Sequence, residues 1–195
     1  MDGKLSQSEL ERIKRVSDMF VTAHSVLRDR FARRAFLIDI TILGATLWLT
    51  AMAFVSPSIG VELTPRGLSK DLWLGLLSVV AFFLSIVQIR VNWKGKEDAH
   101  ARACAAYSSL KRECANLLSQ VAIDKLEYGR ILDKYESAGT LSIPIPEAEF
   151  NKLKSKHKIK VEISRHLDNH PAASPTLLKF KLWWRDNTKN DHDKK

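Results

Sequence analysis

Two long apolar stretches stand out in the first half of the chain. The first covers residues 36–55 with Asp39 as its one charged residue, and the second covers residues 72–89 and carries no charge. At 1.5 Å of rise per residue, each stretch as a helix is roughly 27–30 Å long, the thickness of a bilayer's hydrocarbon core. A buried helix of a soluble domain is usually shorter and has one polar face. The pattern therefore predicts transmembrane helices over residues 35–56 and 71–91.

The residues that flank these stretches predict their orientation. The connector over residues 57–70 contains two Pro and two Gly, which break a helix and leave room for a hairpin turn. Its cations are Arg66 and Lys70, whereas four cations precede the first stretch and four end or follow the second: Arg28, Arg30, Arg33, Arg34, Arg90, Lys94, Lys96 and Arg102. By the positive-inside rule, both termini are cytoplasmic and the connector is external. The prediction is a multi-pass protein of the inner (plasma) membrane.

The polar segments on either side of the hairpin have a helical pattern. Residues 5–34 open with a capping box, Ser8 followed by Glu11, and predict an N-terminal cytosolic helix. Residues 92–137 contain few helix breakers and predict one long cytosolic helix. Apolar residues recur along it at steps of four and three, which is typical of a coiled coil. We call five of them the seam: Tyr107, Leu110, Cys114, Leu117 and Val121. The simplest packing places the first half of this helix antiparallel to the N-terminal helix and leaves its distal half for another subunit. We therefore expect the seam to hold subunits together, with packing inside one chain as the alternative.

The C-terminal part is predicted to be helical but less regular. Residues 138–170 contain two prolines and then a helix with a weak apolar stripe, which we expect to dock on the long helix. Residues 171–195 comprise an amphipathic segment, suited to a membrane surface or to a docked partner, and a disordered polar tail. The predicted fold class is an all-α membrane protein, with a two-helix transmembrane hairpin and long cytosolic helical or coiled-coil extensions.

Polar residues within the apolar stretches fall on one face of each helix. We call these residues, together with Arg90 at the end of the second helix, the polar face: Asp39, Thr46, Thr50, Ser78, Ser85, Gln88 and Arg90. Such faces usually form contacts between membrane helices. The alternative is that they line a water-filled path in an oligomer. A carboxylate inside the membrane boundary needs a partner or water, and we expect an Asp39–Arg90 pair.

Charge and cysteine content narrow the function classes. The formal net charge is +9, and the segments 1–34, 35–91 and 92–195 contribute +3, 0 and +6. Attraction to anionic lipid explains this distribution, and the lack of any nucleic-acid motif argues against a nucleic-acid partner. Cys104 and Cys114 are about 15 Å apart along one predicted helix, too far for a disulfide bond.

Catalytic and cofactor signatures are not found in the sequence. It contains no phosphate-binding Gly-rich loop, nucleophile elbow or HExxH motif, so we predict a protein that is not an enzyme and needs no cofactor. His166 and His170 are four residues apart, but a metal site needs further ligands, and we predict none. His24 and His100 have two interpretations, a buried hydrogen-bonded pair or a proton-sensitive switch.

The order of these parts resembles the SLATT family, the SMODS- and SLOG-associating two-transmembrane effectors of prokaryotic conflict systems. The resemblance rests on the basic segment HSVLRDRFARR, the two apolar stretches, the set Trp93, His100 and Tyr107, and the later segment PIPEAEFNKLKSKHKIKVEIS. It covers residues 8–170.

The resemblance implies an antiviral or abortive-infection effector in the lipid bilayer. Such a protein would form homo-oligomers and a pore that permeabilises the inner membrane when triggered by a separate sensor or a nucleotide-signal-producing protein encoded nearby. The family implies no catalytic residues. The alternative is a non-catalytic membrane scaffold that recruits a cytosolic partner through its C-terminal helices.

Overall fold

The structure is a computed structural model that describes residues 2–65, 67–120 and 123–188, without the side chains of residues 2–5, 57, 58 and 61. The described residues form helices and connecting turns and contain no strand, which confirms the all-α class. The chain divides into two compact units, unit 1 (Met1–Val26 with Arg102–Lys195) and unit 2 (Leu27–Ala101). The helices are α1 (Asp2–Phe54), α2 (Pro57–Glu62), α3 (Lys70–Val91), α4 (Trp93–Leu118), α5 (Lys125–Leu141), α6 (Glu147–Asn169) and α7 (Pro175–Thr188).

Helix α1 is 53 residues long because nothing interrupts its backbone hydrogen bonds. No Gly or Pro occurs between Ser8 and Gly44, and the helix ends at Phe54, before the Pro57 that begins α2. Proline suits the first position of a helix because its missing N–H group would be unpaired there anyway. The predicted connector over residues 57–70 therefore contains a short helix.

A capped start and a left-handed end delimit α3. Ser69 Oγ accepts a hydrogen bond from the backbone N–H of Leu72 at 3.3 Å. At the other end Asn92 has φ 48°, a left-handed conformation that asparagine tolerates better than most residues. Its side-chain Oδ1 accepts from the N–H of Gly95 at 2.9 Å. A Cβ atom at position 95 would lie 2.4 Å from Asn92 Nδ2, so a larger residue there would displace the asparagine side chain from this hydrogen bond.

Unit 2 is an antiparallel pairing of the C-terminal part of α1 with α3 and the start of α4. Phe31 stacks on His100 with ring centroids 5.5 Å apart, and further along the pair Asp39 accepts a hydrogen bond from Gln88. Most large apolar side chains of both stretches point outward, among them Phe36, Leu47, Phe54, Val79, Phe82 and Ile89. The structure thus has two helices long and apolar enough to cross a membrane.

Unit 1 has a core built from α1, α4 and α5. Leu10 and Ile13 of α1 pack in one buried cluster with residues of α4 and with Ile131 and Ala138 of α5. Asp18 pairs with Lys111, and Cys104 Sγ lies 3.7 Å from the carbonyl oxygen of Val21, so α1 and α4 are antiparallel here as well. The full cluster of buried residues is Leu10, Ile13, Tyr107, Leu110, Cys114, Leu117, Ile131 and Ala138.

The segment predicted as one helix over residues 92–137 differs from the structure, which has two helices there. Helix α4 ends at Leu118, where the N–H of Ser119 bonds to both the Ala115 and Asn116 carbonyls in a tightened last turn. Asp124 then begins α5, because its side chain accepts from the N–H of Leu126 at 3.2 Å. Aspartate favours this role over a helix interior.

The C-terminal part also differs in detail from its predicted divisions. Helix α5 continues to Leu141, beyond the predicted boundary at 137, whereas α6 begins at Glu147 after the two prolines, where the sequence pattern placed a helix. The amphipathic segment forms α7, which packs against α6. The predicted disordered tail lies outside the described residues from 189 onward.

Candidate functional sites in the polar face and the seam

The polar face has one contact between helices. Gln88 Nε2 donates a hydrogen bond to the Asp39 carboxylate, which joins α1 to α3 within unit 2. Among the described residues no ion pair connects Asp39 with Arg90, so the expected Asp39–Arg90 pair is corrected to an Asp39–Gln88 hydrogen bond. Arg90 is exposed. The Asp39 carboxylate is therefore hydrogen-bonded by a neutral amide, and it also interacts electrostatically with the ammonium group of Lys94 at the start of α4.

The hydroxyl groups of the polar face hydrogen-bond within their own helices. Thr46 and Thr50 donate to Leu43 and Thr46 carbonyls at 2.9 and 2.8 Å. Ser78 and Ser85 donate to Leu74 and Ala81 carbonyls at 2.8 and 2.9 Å. Because these bonds satisfy the hydroxyl donors locally, the four residues can face lipid, another helix or water at low cost. The hydrogen bonds that these four hydroxyl groups donate all stay within one helix and do not cross the hairpin.

Two glycines leave bare backbone on the outer surface of the hairpin. A Cβ atom added at Gly44 or Gly75 would meet nothing within 4 Å, and both residues are exposed. Small residues at such positions let another membrane helix approach closely. Gly75 lies on the same side of α3 as Ser78 and Ser85, since steps of three and seven residues return to one helix face. The hairpin also has an open groove of about 390 Å³, lined by Arg34, Leu37, Ile38, Thr41, Leu84 and Trp93.

The seam is buried inside unit 1. Tyr107, Leu110, Cys114 and Leu117 are only 0–3% exposed and belong to the cluster formed with α1 and α5. This corrects the prediction that they contact another subunit, because such side chains have almost no surface left to bury. Val121, the fifth seam residue, lies outside the described residues. Burial also raises the pKa of the Cys114 thiol to about 11, so it is an uncharged core group at neutral pH.

The buried histidines lie in separate aromatic settings. In unit 1 the His24 ring stacks near Tyr107 at 5.8 Å, and Tyr107 stacks on Phe20 at 4.9 Å. In unit 2 His100 stacks on Phe31, and burial lowers its pKa. Each imidazole thus has an aromatic neighbour within its own unit.

A groove of unit 1 between α4 and α5 was not predicted from the sequence. It has a volume of about 530 Å³ and is mostly apolar, with Ser109, Glu113 and Lys134 among its lining residues. Lys134 Nζ lies 2.6 Å from Glu113 Oε2 and lowers the pKa of that carboxyl group. No signal at either helix alone could have indicated the groove, because it exists only where α5 folds back on α4.

The histidines of α6 do not form a metal site in the part of the chain that the structure describes. The rings of His166 and His170 are 4.8 Å apart between centroids. No cluster of three or more His, Cys, Asp or Glu side chains that could hold a metal ion occurs among residues 2–65, 67–120 and 123–188.

His157 of α6 is expected to make the stability of unit 1 depend on pH. Its Nδ1 lies 3.0 Å from Thr22 Oγ1, and burial lowers its pKa below the usual 6.5, with Lys160 and Lys111 acting in the same direction and Asp18 opposing them. Between the lowered pKa and 6.5 the unfolded chain binds more protons, so the free energy of unfolding falls as pH drops through this range.

Thermal unfolding followed between pH 7 and pH 5 measures this effect. The wild type should lose stability toward pH 5, and His157→Gln should lose less because the titrating group is gone. His166 is an exposed histidine on the same helix, so His166→Gln should lose as much thermal stability as the wild type. An equal loss in the wild type and in His157→Gln would contradict the prediction.

Comparisons of the chain with protein-family models, with curated proteins and with solved structures found no match.

Proposed function

We propose that the chain is a membrane protein whose α1 and α3 cross the bilayer as a hairpin. The observation that carries this proposal is the outward-facing apolar surface of both helices. Only 11% and 6% of their most apolar 18-residue windows are buried, whereas a core helix of a soluble protein is mostly buried. Apolar surface on this scale far exceeds the patches that soluble monomers expose, and a hydrocarbon environment would cover it.

The proposed topology places both termini in the cytoplasm and the connector outside the inner membrane. The cations that flank the hairpin support this orientation, since short cytoplasmic segments are enriched in Lys and Arg. Helix α3 ends at Val91 with Asn92 as its cap, and Lys94, Lys96 and Arg102 follow in α4, so the basic segment comes directly after the apolar helix.

The proposed activity is that of an effector in a prokaryotic conflict system, as the resemblance to the SLATT family implies. The chain would oligomerise and permeabilise the membrane on a signal from a separate sensor or a nucleotide-producing partner. The bare backbone at Gly44 and Gly75 supports an assembly through the outer faces of the hairpin. The carboxylate of Asp39, which accepts a hydrogen bond from Gln88 and interacts electrostatically with Lys94, supports a polar path between subunits. Neither step needs a catalytic group.

In this proposal the contact between subunits lies on the hairpin and not on the seam. The four described seam residues are already buried within unit 1, whereas Gly44, Gly75 and the neighbouring exposed residues of the hairpin have free surface. Membrane helices usually associate through close packing of small residues. Lipid tails are as apolar as the helix side chains, so the hydrophobic effect does not favour contact between helices. The polar face and the oligomer contact would then lie on the same helices.

Induced expression of the chain, together with its genomic neighbours, should depolarise the membrane and arrest growth. A voltage-sensitive dye read by single-cell fluorescence measures the effect. Gly75→Leu should abolish depolarisation at equal protein level, because the new side chain would separate packed helices while its Cβ atom has no neighbour within 4 Å in its own chain. Gly129→Leu is the matched control, since a Cβ atom there also has no neighbour within 4 Å but lies on α5 of unit 1.

Two results would contradict this proposal. Unchanged membrane potential, with the protein present in the membrane fraction and its neighbours expressed, would remove the permeabilising activity. Equal depolarisation by the wild type and by Gly75→Leu would place the subunit contact elsewhere than on the Gly75 side of α3.

The second candidate function is a membrane scaffold that recruits a cytosolic partner. The exposed aromatic residues of α7, Phe180, Trp183 and Trp184, favour it because large apolar groups on a helix surface commonly contact another molecule. A scaffold would bind its partner without changing the membrane potential, so the dye measurement separates the two functions.

A further inference from the structure

Helix α7 has two opposite apolar faces, and only one of them is packed. Leu178 and Leu182 are half-buried, in keeping with the packing of α7 against α6. Four other large apolar side chains of the same helix are 56–71% exposed: Leu177, Phe180, Trp183 and Trp184. At about 100° per residue, these four occupy an arc of roughly 120°, and the centre of this arc is directly opposite Leu178 and Leu182. The packing of unit 1 therefore leaves a complete aromatic face of α7 uncovered, which we call the aromatic face.

Lysines border the aromatic face on both sides. Lys179 and Lys181 are exposed, and each lies about 40° beyond one edge of the arc. On the same helix Arg185 pairs with Asp186 at 2.8 Å, so the two lysines are not neutralised by that carboxylate. Lysine side chains can run along an apolar surface while their ammonium groups reach outward to water or phosphate.

This arrangement matches the chemistry of an anionic lipid surface better than that of a protein groove. Tryptophan prefers the boundary between headgroups and acyl chains, because its ring is apolar and its N–H is polar. A helix that lies in this boundary has aromatic residues on one face and cations along the edges of that face. The phenylalanine and tryptophan rings of α7 contact each other with centroids 6.1 and 6.3 Å apart, so they form one continuous apolar surface.

We propose that α7 is an interfacial membrane anchor, whose aromatic face lies on an anionic phospholipid surface while Lys179 and Lys181 contact the phosphate groups. This inference rests on the proposed membrane location of the chain but not on its permeabilising activity. The anchor would hold the C-terminal helices of unit 1 at the lipid surface in addition to the transmembrane hairpin. Its affinity would depend on anionic lipid content and fall with salt.

The test uses the full chain in lipid nanodiscs, which leave both bilayer surfaces accessible. Tryptophan fluorescence is measured with lipids brominated on the acyl chains, which quench indoles at the membrane boundary. The α7 signal is the difference between the wild type and Trp183→Phe/Trp184→Phe. With phosphatidylglycerol present, this signal should be quenched by the brominated lipid and protected from aqueous iodide.

Charge variants of matched design test the role of the lysines. Lys179→Gln/Lys181→Gln should lower the equilibrium constant for the lipid-bound state of α7 by roughly 30-fold, given the attraction of each cation to an anionic surface. Lys154→Gln/Lys156→Gln removes two exposed lysines at the same spacing on α6 and should leave the signal unchanged. High salt should reproduce the effect of the α7 variant in the wild type.

Three outcomes would overturn the anchor. In the first, the α7 tryptophans stay accessible to iodide and are not quenched by brominated lipid of any composition. The aromatic face then lies in water. Protection from iodide that requires two chains per nanodisc would assign the face to a second copy, and protection that requires an added cytosolic protein would assign it to a protein partner. Ion flux from the same preparations is a separate readout, so failure of the anchor and failure of the permeabilising activity are distinguishable.

Discussion

Asp39→Asn should change the ion preference of the chain in liposomes without changing its fold or oligomer size. The substitution keeps a side chain that can still hydrogen-bond with Gln88 but removes the negative charge. Rings of carboxylates select cations in channels, so removal of this charge from a polar path should reduce the preference for cations over anions. The measurement is ion flux or single-channel current at matched protein amounts.

Two further variants test whether the change in ion preference is specific to Asp39 or follows from any change in the charge of the hairpin. Asp71→Asn removes an exposed carboxylate from the first turn of α3, at the connector end of the hairpin, and should leave selectivity unchanged. Arg90→Gln removes the cation of the polar face, which does not pair with Asp39, and should shift selectivity in the opposite direction if both residues line the path. Unchanged selectivity in Asp39→Asn and Arg90→Gln would leave Asp39 a structural residue.

Leu110→Ala should lower the free energy of unfolding of unit 1 by about 2–5 kcal/mol, the usual cost of truncating a buried leucine. Leu110 is 2% exposed and lies in the cluster shared by α1, α4 and α5, so its truncation leaves a cavity that three helices cannot easily close. Leu126→Ala on α5, where the leucine is 64% exposed, should change stability by less than about 0.5 kcal/mol. Thermal unfolding in detergent, followed by circular dichroism, measures both.

The same variants test where subunits meet. Below its unfolding temperature, Leu110→Ala should still form the crosslinked oligomer, because the proposed subunit contact lies on the hairpin. Loss of the oligomer with unchanged thermal stability would return the seam to a contact between subunits and contradict its role as a core of unit 1.

The apolar stretches and their boundaries could be predicted from the sequence because each depends on local chemistry. A long apolar run without Pro favours a helix of membrane length, and Pro57, Pro65 and Gly67 interrupt it between the two stretches. The structure has helices at these positions, with Phe54 and Lys70 as their inner ends. This part of the fold was predictable because the residue types themselves favour or interrupt a helix locally.

Periodicity alone could not predict which residues cover the seam. Steps of four and three show that Tyr107, Leu110, Cys114 and Leu117 share one helix face, but not which chain covers that face. The cover depends on the turn after Leu118 and on the cap at Asp124, which bring Ile131 and Ala138 back onto α4. Residues of α1 and α5 in the same chain thus cover the coiled-coil pattern of α4 and form an intramolecular core.

The hydrogen-bond partner of Asp39 was also determined partly by the sequence and partly by the tertiary structure. The sequence determined the depth of the carboxylate, one turn inside the apolar stretch, and placed both Gln88 and Arg90 near that depth on the antiparallel helix. Residues two apart on a helix are separated by about 200° around its axis, so only one of them can face Asp39. The rotation of α3 against α1 selects Gln88, and that rotation depends on side-chain packing along the whole hairpin, which only the tertiary structure decides.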